Sequence, residues 1–95
     1  MKEEYELNID RFSRVKVRKN GPRFSFVYLI YTDRWTDIAR IDNYPHEGRE
    51  GVHIHRLHDE RVEFRDMDFE EALETIRRIG KSIKERMRYD PYRGC

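Results

Sequence analysis

The ten residues "RFSFVYLIYT" (23–32) constrain the fold more than any other part of the chain. Phe24, Phe26, Tyr28 and Ile30 alternate with Val27, Leu29 and Tyr31, so an extended chain here is apolar on both faces. A strand of that kind is covered on two sides and belongs in the middle of a sheet. Its neighbours in sequence supply the flanks. "RFSRVKVRKN" alternates Ser13, Val15 and Val17 with Arg14, Lys16 and Arg18, which reads as a strand with one wet, basic face. "NGPR" joins the two, because Gly21 accepts a positive φ and Pro22 cannot extend a ladder.

After the turn "DRWTD", the segment "DIARIDN" predicts a strand with Ile38, Arg40 and Asp42 on one face and Ala39 and Ile41 on the other. A loop with Pro45 and Gly48 leads into "VHIHRL", where Val52 and Ile54 alternate with His53, His55 and Leu57. "HDER" turns the chain back and "VEF" begins a short last strand. At the other end, "MKEE" reads as frayed and "YELNID" as a short strand or an extended lead-in.

From Asp68 the period changes. Asp68 followed by Glu71 has the spacing of a helix cap, the carboxylate accepting from orphan N–H groups of the first turn. Phe69, Leu73, Ile76, Gly80, Ile83 and Met87 then recur every three or four residues, with Ala72 and Ile79 beside them, as one apolar stripe. Gly80 costs the helix about 1 kcal/mol relative to Ala, and its place in the stripe points to a close approach to an aromatic on the sheet. Pro91 ends the helix at or before Asp90. The expected architecture is one α+β domain over residues 1–95, an antiparallel meander of four to five strands packed on one long C-terminal helix.

Charged residues are 41% of the chain and apolar ones 37%, so the core must be thin, with its order resting on regular spacing. A net charge of +1 leaves anion binding to local patches. One helix covers one sheet face only, and an apolar face around Val27, Leu29 and Tyr31 predicts a homodimer or a protein partner. Cys95 has no internal partner for a disulfide, no apolar run reaches membrane-spanning length, and "MKEEYELNID" is too acidic for a secretory signal. A cytoplasmic protein is expected. The absence of Gln and the abundance of Lys, Arg and Glu match usage in hot environments.

The chemistry concentrates in "RIDNYPHEGREGVHIH" (40–55), which holds three of the four histidines. Three readings of it stay open. His53 and His55 stand two apart on a strand and share a face, so with His46 or Asp42 they would make a three-ligand metal site. Alternatively, one imidazole takes a proton from a ribose 2′-hydroxyl while another protonates the leaving oxygen. In that case Arg40, Arg49 or Arg56 clamps the phosphate, Asp42 holds a tautomer, and no metal or other cofactor is needed. Finally, His46, His53, His55 and His58 read as ordinary polar residues on a wet face. From Ile76 to Cys95 there are seven Lys or Arg against Glu85 and Asp90. With Arg14, Lys16, Arg18 and Lys19 they form a phosphate-binding surface or simply complement the helix dipole.

The stretch "RIDNYPHEGREGVHIH", followed by a short strand and "MDFEEALETI", resembles small toxins of the TumE type from prokaryotic toxin–antitoxin pairs and their uncharacterised archaeal relatives. The matching positions are Arg40, Asp42, Asn43, Pro45 and His46, then His53 and His55, then Phe69 to Leu73. The loop Glu47 to Val52 departs from the pattern, and the N-terminal strands match only in periodicity. The resemblance implies a cytoplasmic protein paired with an antitoxin and acting on RNA or translation. His46, His53 and His55 are its catalytic candidates, supported by Asp42 and Asn43. The expected function is thus a TumE-like, His-dependent ribonuclease with Arg40, Asp42, Asn43, Arg49 and Arg56 binding substrate. The alternative is a non-catalytic interaction or His-metal-binding module.

Overall fold

The computed structural model describes residues 2–45, 48, 51–57 and 59–90. Among them, six strands form one antiparallel sheet in sequence order: β1 (Lys2–Asp10), β2 (Ser13–Asn20), β3 (Arg23–Tyr31), β4 (Trp35–Asp42), β5 (His53–Arg56) and β6 (Asp59–Phe64). The helix α1 (Phe69–Met87) follows and lies over β3 and β4. The fold is the expected α+β meander, with more strands than the four to five read from the sequence.

β1 carries the strand read at "YELNID" back to Lys2. Lys2, Glu3 and Glu4, read as frayed, pair instead with Asn20, Lys19 and Arg18 of β2. Glu4 reaches Arg18 at 3.6 Å and Glu6 reaches Arg14 at 2.6 Å. These cross-strand charge pairs favour a register that apolar alternation does not announce. The other extension is β6, which begins at Asp59 rather than at Val62.

The core lies between the sheet and α1. Val15, Val17, Phe26, Tyr28, Ile30, Ile41 and Ile54 are fully buried on the sheet side, and Ala72, Ile76, Gly80 and Ile83 are buried on the helix. Phe69 packs edge-on against Phe24, with ring centroids 5.8 Å apart. Gly80 sits against Tyr28, where an added Cβ would fall under 3.0 Å from three ring atoms, so only glycine fits this crossing. Asp68 caps the helix, its Oδ1 accepting from the Glu71 N–H at 2.8 Å. Arg88 closes the other end at φ 54°, its N–H donating to the Glu85 carbonyl.

A bulge revises the reading of β4. Tyr28 pairs with Ala39 but Leu29 pairs with Asp37, leaving Ile38 as an extra residue. Ile38 is therefore buried beside Ala39 and does not share the outer face of Arg40 and Asp42. The bulge lets the strand bury two consecutive apolar residues while keeping Arg40 and Asp42 outward.

The face away from α1 is a charged surface crossed by register rows. One row runs Glu4, Arg18, Ser25, Asp42, His53 and Phe64; the next runs Glu6, Lys16, Val27, Arg40 and His55. Val27 and Leu29 are half-buried among these long side chains, and Tyr31 packs edge-on against Trp35. The apolar face from which a homodimer is expected is thus narrow and bordered by charge. Among the described residues no helix is long and apolar enough to cross a membrane.

Candidate functional site

Antiparallel pairing of β4 with β5 aligns Asp42 with His53 and Arg40 with His55. All four sit at outer-face positions because side chains alternate along each strand, while Ile41 and Ile54 between them enter the core. A one-residue slip would bury the histidines and expose the isoleucines, so the core enforces the alignment.

His53 is held from both ends. Its ring is 2% exposed and packs against Phe64 and His55, with centroids 5.5 and 5.6 Å away. Nδ1 lies 3.2 Å from the Gly51 carbonyl and Nε2 lies 2.7 Å from Asp42 Oδ1. A carbonyl and a carboxylate both accept, and which ring nitrogen carries the proton depends on the tautomer. The shorter contact has the length of an N–H donated by Nε2 to the Asp42 carboxylate. An ion bound there would take the place of that ring proton.

His55, half-buried, completes a group with Asp42 and His53 whose ligand atoms lie within 4.8 Å of one another. Two imidazoles and one carboxylate are a common donor set for Zn²⁺ and other first-row divalent ions. With Nε2 on an ion, the Gly51 carbonyl would accept from the Nδ1–H and hold the ring's orientation. Ion–ligand bonds of about 2.0–2.2 Å would require the Asp42–His53 pair to open from its 2.7 Å contact.

Arg40 lies beside His55 and reaches Asp37 at 4.0 Å across an exposed surface. Next to it on the outer face is a hollow of about 490 Å³ with Val27 and Leu29 on its floor and Lys16, Arg18, Arg40, Asp37, Asp42 and Tyr44 around it. Asp42 thus belongs both to the imidazole group and to the wall of this depression, where three cations meet two carboxylates.

The remaining candidates separate. Asn43 serves the fold: its Oδ1 accepts from the Phe24 N–H and its Nδ2 donates to the Pro22 carbonyl, both at 2.8 Å. It thereby latches the β2–β3 turn to the end of β4. Arg56 pairs with Ala39 and stands on the helix side of the sheet, its Nη2 donating to Glu63 Oε1 at 2.9 Å. It is away from the imidazoles. His46 and Arg49 lie outside the described residues. Lys16 and Arg18, absent from the candidate substrate-binding set, are brought beside Arg40 by the β2–β3–β4 register. The alternation of Arg14, Lys16 and Arg18 in the sequence is the signal that marks them.

Compared with models of protein families, with curated proteins and with solved structures, the chain matches none. The resemblance to TumE-type toxins rests on the quoted segments alone.

Proposed function

We propose that this chain is a divalent-metal-binding protein whose Asp42, His53 and His55 hold the ion beside a basic, phosphate-binding surface. The observation that carries this reading is the gathering of the Asp42, His53 and His55 donor atoms within 4.8 Å of one another, around a His53 ring held between Gly51 and Asp42. A general base has to meet its substrate, and a ring 2% exposed with both nitrogens engaged is poorly placed to do so. The same ring is well placed as a ligand. With an ion bound, this donor set would polarise a phosphoryl oxygen or activate water. Lys16, Arg18 and Arg40 would hold the rest of a phosphate ester such as RNA.

A second reading keeps the TumE-like toxin: a cytoplasmic, metal-free ribonuclease restrained by an antitoxin. Arg40 beside His55 supports it, since an imidazole next to a guanidinium can exchange a proton while the phosphate is clamped. Elemental analysis of the purified chain after dialysis against Zn²⁺ separates the two. The metal reading expects one ion per chain, lost in His53→Ala/His55→Ala, and any RNA cleavage abolished by chelator. RNA cleavage that survives chelator, needs His55 and arrests growth of an expressing host would establish the toxin reading instead.

A further inference from the structure

The arginines that the imidazole site leaves unused gather on the opposite side of the sheet. Where α1 crosses the β5–β6 edge, a crevice of about 330 Å³ is lined by Arg56, Arg65, Arg78 and Arg86 with Thr75 and Ser82. A second hollow of about 450 Å³ shares Arg56 and Arg86 with it and adds Arg61, which reaches Asp59 at 3.7 Å. Thr75, Arg78, Ser82 and Arg86 recur at spacings of three and four, so they form one stripe along α1. From Thr75 to Arg86 the stripe is about 16 Å long at the helical rise of about 1.5 Å per residue.

The dipole of α1 accounts for Arg86 in the last turn. It does not account for Arg78 in the middle of the helix, nor for Arg56 and Arg65 on the sheet side. Arg56 and Arg65 both bond Glu63, whose carboxyl stays below the ordinary carboxylate range because these two cations outweigh its partial burial. One carboxylate thus anchors two guanidinium groups at the rim. Arg78 and Arg86 have no carboxylate partner among the described residues. Cations gathered this closely repel one another unless an anion enters, and the forked guanidinium suits phosphate oxygens.

We propose that the crevice between α1 and the β5–β6 hairpin binds the phosphodiester backbone of nucleic acid without reading its sequence. The elongated shape fits a polymer better than a single phosphate. No aromatic side chain lines the first hollow, so bases have nothing to stack on and the contacts go to the backbone. The inference is independent of the proposed metal site, which faces the other way across the sheet.

The test is fluorescence anisotropy with a labelled oligouridylate between about 50 and about 200 mM salt. Arg78→Ala/Arg86→Ala is expected to weaken binding at least about tenfold and to lower the salt slope by about one to two. Lys substitutions at the same two positions should restore part of the affinity, since charge returns without the fork. Arg34→Ala, in the exposed β3–β4 turn and outside both basic hollows, should bind this probe as the wild type does. An unchanged affinity and slope in the folded Arg78→Ala/Arg86→Ala variant would overturn the proposal. So would loss confined to the Lys16→Ala/Arg18→Ala variant, or displacement of the probe by micromolar inorganic phosphate, which would mark a small-anion site.

Discussion

β5 is four residues long, and its two sides do opposite work. Ile54 pairs with Ile41 and is fully buried under α1, while His53 and His55 stand on the outer face against Asp42 and Arg40. The helix side is held by apolar burial and tolerates little change in volume. The outer side is held by directed contacts between charged or polar groups, which contribute less to stability and can accept a ligand. Placing both on one strand means the core sets the alignment of the imidazoles, so the site inherits rigidity it does not itself supply.

Substitutions on that strand sharpen the contrast. Ile54→Ala should cost about 2–5 kcal/mol by denaturant unfolding, because a fully buried side chain leaves a cavity. His55→Ala should stay within about 1 kcal/mol of the wild type and yet lose the bound metal. Equal losses of stability from the two would break the distinction between the faces. Gly80→Ala is the next largest. Alanine gains about 1 kcal/mol in helix propensity, but its Cβ meets the Tyr28 ring, and overpacking of that kind costs about 1–3 kcal/mol or more. A net loss is expected, with the helix pushed away from β3.

The smallest effect is electrostatic and lies at the start of the sheet. Partial burial opposes ionisation of Asp10, but the Phe12 N–H and the Lys84 ammonium outweigh it and hold the carboxyl below its ordinary value of 3.8. Burial likewise works against the Lys84 charge, and the Tyr28 and Asp10 side chains overcome it to raise the lysine above 10.5. A depressed carboxyl stabilises the fold above its unfolded value and loses that contribution as pH falls through the folded value. The raised ammonium contributes below 10.5 and loses that contribution as pH climbs through its folded value. The denaturation midpoint should therefore drop below pH 3.8, and Asp10→Asn should flatten that drop. Since Asp10 is half-exposed, the change is small.

The parts of the fold legible in the sequence are those with a period. The two-faced run at Phe24–Ile30 placed β3 inside the sheet, and the stripe from Phe69 to Met87 with Asp68 before it gave α1 and its cap. Gly80 within that stripe pointed to the aromatic it meets, which is Tyr28. The bulge at Ile38 left no trace, because an inserted residue changes pairing without changing composition. The start of β1 was obscured because Lys2, Glu3 and Glu4 are ordered by their partners in β2 rather than by alternation of their own. In the site, the shared face of His53 and His55 was readable from their spacing. Their alignment with Asp42 was not, since a loop of ten residues (43–52) separates the strands and register is settled by Ile41 against Ile54. Asn43, a substrate-binding candidate from the sequence, also holds the Phe24 N–H and the Pro22 carbonyl, contacts that only the folded register brings within reach. The arginine crevice was hidden for a simpler reason: its members are spread from Arg56 to Arg86 and only packing gathers them.

The most direct test of the proposed metal site is to follow the ring nitrogens of the ¹⁵N-labelled chain as one equivalent of Zn²⁺ is added. The account predicts that His53 Nε2 and one nitrogen of His55 move to the shifts of ligated imidazole, while His53 Nδ1 carries the proton donated to the Gly51 carbonyl. Rings that stay unchanged at one equivalent, with both nitrogens of His53 protonated against Asp42 and Gly51, would contradict it.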